Sequence, residues 1–255
     1  MTSRVIPLAL CGAALCAAAG AHAQVTLKPD GEWRSLFTAG ANYSSGNNNS
    51  TLVNILGEGV RMTDHDKISL RGQLNYGKAN GVRTAQRYQI GGQYNRDISR
   101  NSFWFGSADA LRDRPTNIAH RWSAAGGVGR HMLRDNVDNT FDISVGLGYT
   151  QDSYVTPAFV IGQTRQEYGR TELVLSEESS HKLTETTKLR QKFTLLPNLT
   201  DRGAYRAVFD SGVSVAMTKA LALTVGLNYR YDSDPGLGLK KGDLALVTGV
   251  SLRFD

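Results

Sequence analysis

The chain has 255 residues, of which 20% are charged and 8% aromatic, and its formal net charge is +6 at pH 7. Acidic and basic residues alternate without a Lys/Arg block, so this modest excess argues against a nucleic-acid-binding protein. Both cysteines, Cys11 and Cys16, lie near the N-terminus, which excludes a disulfide framework for the rest of the chain.

The N-terminus has the pattern of a secretory signal peptide. Arg4 precedes an apolar stretch at 5–21, and Ala21-His22-Ala23 places small residues before a cleavage point. The apolar stretch is shorter than the roughly 20 residues of a spanning helix, which favours cleavage over a membrane anchor. We predict a cleaved signal peptide at 1–23 and a single mature domain at 24–255.

The mature chain repeats stretches of about ten residues in which apolar and polar side chains alternate, a pattern that indicates strands with one apolar face. In the stretch 221–231, for example, every second residue is Leu, Val or Tyr. Gly, Asn, Asp, Pro or Ser separate the stretches. About twelve strands are predicted on this basis, near 33–45, 50–63, 67–79, 86–98, 102–112, 120–133, 140–151, 165–176, 183–195, 204–218, 221–232 and 243–254.

The predicted connectors alternate between two kinds. Short ones lie at 64–66, 99–101, 134–139, near Ser179 and at 218–220, and generally longer ones at 80–85, 113–119, 152–164, 196–203 and 233–242. Short turns on one rim, longer loops on the other and an even number of strands are typical of outer-membrane barrels. The sequence therefore predicts an all-β fold, a transmembrane antiparallel up-and-down β-barrel.

The two faces of the strands support a membrane setting. The apolar faces hold Leu, Val, Ala and Gly in their middles and end in aromatic residues, namely Tyr43, Tyr76, Tyr94, Trp104, Trp122, Tyr149 and Tyr231. Aromatic girdles around a lipid-facing band have this arrangement. A soluble β-sandwich or a lipocalin-like binding protein would instead pack large apolar side chains into a dry core. We predict the outer membrane of a Gram-negative cell as the location and its lipids as partners.

Four segments resemble a known family when taken in order: TAGANYSSGNNNSTL (38–52), RYQIGGQYNRDISRNSFWFGSADALRDR (87–114), AAGGVGRHML (124–133) and DISVGLGY (142–149). They are similar to the salt-induced outer-membrane proteins, a family classed as a domain of unknown function. The resemblance covers nearly the whole mature chain. It implies an outer-membrane barrel linked to salt stress and inserted by the barrel assembly machinery, and it carries over no activity.

Motifs of catalysis and cofactor binding are missing from the sequence. There is no H-E-x-x-H or C-x-x-C spacing for a metal and no G-x-S-x-G turn for a serine nucleophile. The mature histidines His65, His120, His131 and His181 are interpreted as rim or lumen side chains. We expect no catalytic, cofactor or metal site, and no enzyme. The alternative is a barrel-borne lipid-modifying hydrolase, which would need a Ser-His-acid cluster at the outer rim.

The predicted inward faces carry many charges. The lumen-lining candidates are Arg71, Arg87, Asp109, Arg121, Asp142, Arg170, Glu172, Arg190, Lys192, Arg206, Asp210 and Arg230, together with Lys188 and Asp232. They could form a charged constriction that selects small ions or solutes, or a cross-braced ion-pair network that fills the barrel. Barrels of eight strands fill their interior and those of 16 leave a channel, so twelve strands leave both readings open. The set has nine basic and five acidic members, which predicts a weak anion preference if the lumen is open.

Overall fold

The computed structural model describes residues 27–44, 50–134 and 139–254, with the backbone alone at 42–44. The predicted signal peptide, the turn at 45–49 and the side chain of Tyr43 lie outside the described residues. One short 3-10 helix, Arg114–Thr116, joins two of the strands. The strands are β1 (Trp33–Ser44), β2 (Ser50–Met62), β3 (Asp66–Ala79), β4 (Val82–Ser99), β5 (Ser102–Asp113), β6 (Ile118–Arg134), β7 (Thr140–Val160), β8 (Gln163–Lys182), β9 (Thr187–Pro197), β10 (Tyr205–Ala216), β11 (Leu221–Asp232) and β12 (Gly242–Phe254).

The strands form a closed antiparallel barrel in chain order, which confirms the predicted fold. β1 and β12 close it, with Ser35 opposite Phe254 and Ala39 opposite Val250. Closure leaves no free sheet edge around the barrel, so the backbone hydrogen-bonding groups find partners between strands. Among the described residues, no helix is long and apolar enough to cross a membrane.

The outer surface of the barrel is an apolar band. Leu70, Ile90 and Leu147 are each more than half exposed although they lie in mid-strand. We call the end that holds the β2–β3 and β4–β5 turns the inner rim, and the opposite end the outer rim. Exposed aromatic side chains border the band near both ends, at Trp33, Phe37, Trp104 and Phe254 toward the inner rim and Trp122, Tyr149, Tyr205 and Tyr229 toward the outer rim.

Two predicted outer loops are wrong, because the strands continue through them. The segment 80–85 contains a two-residue turn at Asn80-Gly81, both with positive φ, between β3 and β4. This is the Asn-Gly signal of a tight hairpin. The segment 152–164 is a hairpin extension in which β7 and β8 meet at Ile161-Gly162. The predicted turn near Ser179 is also wrong, since β8 continues to Lys182.

Glycines on β6 and β7 allow aromatic side chains to pack against the inner wall. A Cβ added to Gly127 would lie 2.8 Å from Cε1 of Phe105 and 2.5 Å from Cα of Gly146, whereas one added to Gly126 would meet only ordinary contacts, the nearest at 3.5 Å. Phe105 is 6% exposed, so the ring has little room to move away.

We therefore expect Gly127→Ala to lower the free energy of unfolding by about 1–3 kcal/mol, the usual cost of overpacking. The matched change Gly126→Ala should alter it by less than about 0.5 kcal/mol, as a surface change does. Reversible urea unfolding in lipid vesicles measures both. A Gly126→Ala cost equal to that of Gly127→Ala would contradict the packing described here.

Candidate functional site: the charged barrel interior

The interior is divided into unlike parts, and the part bounded by β11, β12, β1 and β2 is dry. Its side chains are Leu36, Thr38, Thr224, Val247 and Ser251, none more than 8% exposed. Thr38 and Ser251 share a hydrogen bond of 2.8 Å, and Thr224 and Ser251 one of 3.2 Å. Small hydroxyl residues allow the walls to approach closely here, so this dry half leaves no passage for a hydrated solute.

Polar side chains cross the middle of the barrel. Nζ of Lys192 on β9 lies 3.1 Å from Oε1 of Gln93 on β4. Nζ of Lys67 on β3 lies 3.5 Å from Glu178 on β8, and Nη1 of Arg71 on β3 lies 3.7 Å from Asp210 on β10.

The strands of each of these three pairs are five apart in the strand order. Twelve strands allow a separation of at most six, so the contacts span nearly the full width of the interior. We call this set, with Arg190, the central bridge; its members are Lys67, Arg71, Gln93, Glu178, Arg190, Lys192 and Asp210.

Glu178 is the hub of the central bridge. Its carboxylate contacts Lys67 at 3.5 Å, Arg190 at 3.2 Å and Lys192 at 3.4 Å. The side chain is 23% exposed, so it is mostly shielded from water while three cations surround it. A desolvated carboxylate is stabilised only by such partners. Glu178 is absent from the predicted lumen set, because the predicted eighth strand ends at residue 176.

The interior beside β5, β6 and β7 is wet, apart from the buried rings of Phe103 and Phe105 toward the inner rim. Ser107, Ser123, Ser144 and Gly148 are all half-buried on inward positions, and Asp109 is exposed. The Asp109 side chain lies over Gly91, where an added Cβ would be 2.9 Å from Cγ. Solvent therefore reaches a carboxylate inside the barrel, on one side of the central bridge. We call this space the wet half.

A histidine marks the inner end of the wet half. His131 contacts Asp142 at 2.7 Å through Nδ1 and Asp97 at 3.2 Å through Nε2, and its ring stacks on Phe103 with centroids 4.8 Å apart. Arg134 adds an ion pair of 2.6 Å to Asp97. Because both ring nitrogens face carboxylates, neither is available to activate a serine, and the cluster does not have the geometry of a Ser-His-acid triad.

A chain of ion pairs lies in the interior near the outer rim, on β6, β7, β8 and β10. Arg121 holds both carboxylate oxygens of Asp152, which also accepts from Arg170 at 2.9 Å. Glu172 continues the chain, accepting from Arg170 at 3.2 Å and from Arg206 at 2.6 Å. Asp152 and Glu172 are 1% and 2% exposed. Each buried carboxylate therefore has arginine partners, without which a charge inside a protein would be strongly destabilising.

The β7–β8 hairpin extension forms a roof over this outer network. Tyr154, Val160 and Tyr168 pack together and are all buried. Asp234 of the β11–β12 connector accepts a 2.6 Å hydrogen bond from the backbone N–H of Ile161. The space beneath is a cavity of about 40 Å³ lined by Arg121, Arg170 and Arg206 among others, enough for a few water molecules.

Tyr168 ties the roof to the β9–β10 connector. Its hydroxyl donates to Asp201 at 2.6 Å and accepts from Nδ2 of Asn198 at 2.6 Å. Burial, followed by the hydrogen bond to Asp201, raises the pKa of Tyr168 to about 12. The phenol therefore stays protonated at physiological pH and keeps its role as a donor.

The structure distributes the predicted lumen residues over these clusters. Arg71, Arg190, Lys192 and Asp210 belong to the central bridge, and Arg230 contacts Asp210 at 3.5 Å. Arg121, Arg170, Glu172 and Arg206 form the outer network. Arg87 pairs with Asp113 at 2.9 Å, Asp142 meets His131, and Asp109 lines the wet half.

Sequence reasoning missed several of the partners. Asp113 and Asp152 fell in predicted loops, and Glu178 beyond a predicted strand end. Glu58 lies 3.9 Å from Arg71. Its neighbours on the inward face of β2, Leu56 and Val60, are apolar, so this face does not look polar in the sequence. A longer period-two count along β8 would have found Glu178. With these carboxylates and Lys67 added, positive and negative charges in the clusters nearly balance, so the basis for the predicted anion preference is lost.

Several solved structures have a similar shape but a remote sequence. The translocator domain of the autotransporter NalP from Neisseria meningitidis is 12% identical, with a TM-score of 0.44 over 87% of this chain and 88% of that one. The NanC porin is 11% identical, with a TM-score of 0.44 over 86% and 96%. An anion-selective porin from Comamonas acidovorans is 10% identical, with a TM-score of 0.37 over 91% and 99%.

Because the sequence identities and TM-scores are so low, these structures carry no argument here, and the fold is established by the strand pairing itself. The chain matches no curated protein. A family model described as "Protein of unknown function, DUF481" matches residues 37–254, nearly the whole barrel, and the chain therefore belongs to that family.

Proposed function

We propose that the protein is a passive outer-membrane barrel with a braced interior, which passes water and small ions beside the central bridge and excludes larger solutes. The apolar outer band and the predicted signal peptide support the location. The sequence resemblance to salt-induced outer-membrane proteins supports a role under salt stress. Membrane lipids, the barrel assembly machinery and small ions are the proposed partners, and nucleic acid is not one.

The observation that carries this proposal is the central bridge. Three polar contacts span nearly the full width of the barrel, while the dry half is filled by its own walls. Any passage must therefore run through the wet half, past Asp109 and the half-buried serines. A charged, partly blocked lumen of this kind passes small ions more easily than bulky solutes.

The two alternative functions have less support. A soluble binding protein would put its large apolar side chains inside, whereas here they cover the outside and charges occupy the interior. A hydrolase would need a histidine with a free ring nitrogen beside a nucleophile. Both nitrogens of His131, at the inner end, face carboxylates, and His120, near the outer rim, is exposed on the outward face of β6. We propose that the protein is not an enzyme.

Reconstitution in planar bilayers and in vesicles tests the passage. We expect a small conductance with little preference between cations and anions, because charges in the interior clusters nearly balance. In a swelling assay, vesicles containing the protein should stay impermeable to disaccharides. Rapid swelling in sugar would contradict the narrow passage and indicate an open pore. Complete absence of conductance would leave a purely structural barrel.

A further inference from the structure

Positive charges collect on the outward side of one part of the outer rim. Lys78 and Arg83 face each other across the β3–β4 hairpin tip, and Arg112 lies opposite Tyr88 on the neighbouring strand pair. The outward positions of β3–β6 near this rim contain no carboxylate; they are Tyr76, Lys78, Arg83, Gln86, Tyr88, Arg112, His120 and Trp122. The outward aromatic residues Tyr149, Tyr205 and Tyr229 border the same rim on β7, β10 and β11.

The side chains of Lys78 and Arg83 are directed toward the apolar band. Nζ of Lys78 lies 5.9 Å from the ring centre of Tyr76, and Nη1 of Arg83 donates to Gln86 at 2.7 Å. Nε of Arg112 is shielded from solvent and has no hydrogen-bond partner among the described residues. Arg83 lies five residues before Tyr88, the register partner of Arg112, which places Arg112 on the order of 15 Å farther along the strands. Arg83 and Arg112 therefore contact one lipid headgroup when their long side chains extend toward each other along the barrel surface. Arginine and lysine together are typical ligands of phosphate.

A groove suited to a hydrocarbon chain lies directly below Arg112. The outward positions of β5 and β6 here are small, at Gly106, Ala108, Ala110, Ala124 and Gly126. Larger side chains flank them, including Leu147 and Tyr149 on β7, which are 58% and 53% exposed. On the side of Ala124 and Gly126 that faces β7, the surface forms a shallow, open depression, bordered by Leu147 and Tyr149. A hydrocarbon chain lying there would make van der Waals contacts with the surface above these small side chains.

We propose that this site binds a phosphorylated lipid of the surrounding membrane, with the phosphate held by Lys78, Arg83 and Arg112 and one acyl chain lying in the groove. The site is therefore a lipid-binding site on the outer surface of the barrel, separate from the interior. The proposal rests on the membrane location proposed above. Basic side chains next to a membrane surface attract anionic headgroups in this way.

The test uses the full-length mature protein folded into zwitterionic vesicles, to which a phosphorylated glycolipid or its dephosphorylated form is added. Lipid retained after gentle detergent extraction is counted by native mass spectrometry. We expect strong retention of the phosphorylated lipid alone. Lys78→Gln, Arg83→Gln and Arg112→Gln together should weaken retention on the order of tenfold or more, and inorganic phosphate should not displace the lipid.

Two controls separate the parts of the site. Arg202→Gln, Lys240→Gln and Lys241→Gln remove the same charge from exposed loops elsewhere on the outer rim and should leave retention unchanged. Ala124→Trp fills the groove without changing charge and should weaken retention of long-chain lipid more than that of short-chain lipid. The heat-dependent gel mobility of each variant reports whether the barrel is folded.

Equal retention of both lipid forms, or no difference between the two triple variants, would overturn the proposal. Displacement by inorganic phosphate would show that the cations bind free phosphate rather than a lipid. These results leave the proposed membrane function standing, since they all require a barrel already inserted in vesicles. Failure to insert into vesicles at all would overturn both proposals together.

Discussion

Replacing Glu178 by Gln is expected to lower the free energy of unfolding by about 2 kcal/mol, because buried charges lose their partner. Lys67, Arg190 and Lys192 would then face one another around a neutral amide. The expected cost is smaller than that of breaking a fully buried pair, since Lys67, Arg190 and Lys192 are 26–38% exposed and water screens their charges. Urea unfolding in vesicles measures the change.

The same substitution should also change conduction. Without the carboxylate, repulsion between Lys67 and Lys192 would loosen the central bridge from both sides, so we expect a larger single-channel conductance. The added net positive charge should shift ion selectivity toward anions, an effect that weakens as salt rises. Reversal potentials across a salt gradient measure this shift.

Glu185→Gln is the matched control for both measurements. Glu185 lies in the turn after β8, is 91% exposed, and pairs with Lys182 at 2.8 Å. Such exposed pairs contribute at most about 1 kcal/mol, and neither Glu185 nor Lys182 belongs to the central bridge. We expect wild-type conductance and stability from this variant. If Glu178→Gln behaves like Glu185→Gln in both assays, then the central bridge does not brace the interior.

The architecture could be predicted because alternation of side chains is a local signal. A strand between lipid and a polar interior must place apolar and polar residues on opposite faces, and Leu70 and Arg71 of β3 do so in the sequence as in the structure. Where a strand ends depends instead on its pairing with neighbouring strands, which is not a local property of the sequence. Pro157 interrupts the alternation of β7 and favours a loop, whereas in the structure the pairing with β8 shifts between Ser153 and Ala158 and then resumes. Proline is tolerated in strands at such irregularities.

The division of the interior could not be predicted from one strand at a time. The alternation of apolar and polar residues predicts an inward side chain for both Asn228 and Asp109 and does not distinguish their surroundings. In the structure, Asn228 is 5% exposed and donates to Asp210 at 2.7 Å, whereas Asp109 is exposed. Which inward faces touch depends on the cross-section of the closed barrel, and so on the sizes of side chains from strands far apart in sequence. The central bridge joins such strands.

Val145→Arg is expected to lower the free energy of unfolding in vesicles by about 2–4 kcal/mol, the cost of a charge facing the middle of the bilayer. Val145 is 45% exposed on the outer surface of β7. It lies midway between two outward aromatic residues, Phe141 and Tyr149, so an arginine there cannot easily reach either water layer. The guanidinium would have to remain in hydrocarbon or distort the lipid around it.

The neighbouring Ser144 provides the control. It faces the wet half and is half-buried, and Asp142 lies on the same inward face two residues away. An arginine at 144 would therefore meet water and a carboxylate, and Ser144→Arg should cost less than about 1 kcal/mol. Equal penalties at the two positions would mean that the faces of β7 are assigned wrongly. If Val145→Arg costs nothing and the protein stays folded in buffer without lipid, the outer surface faces water, because an exposed valine on a soluble protein accepts arginine within about 0.5 kcal/mol.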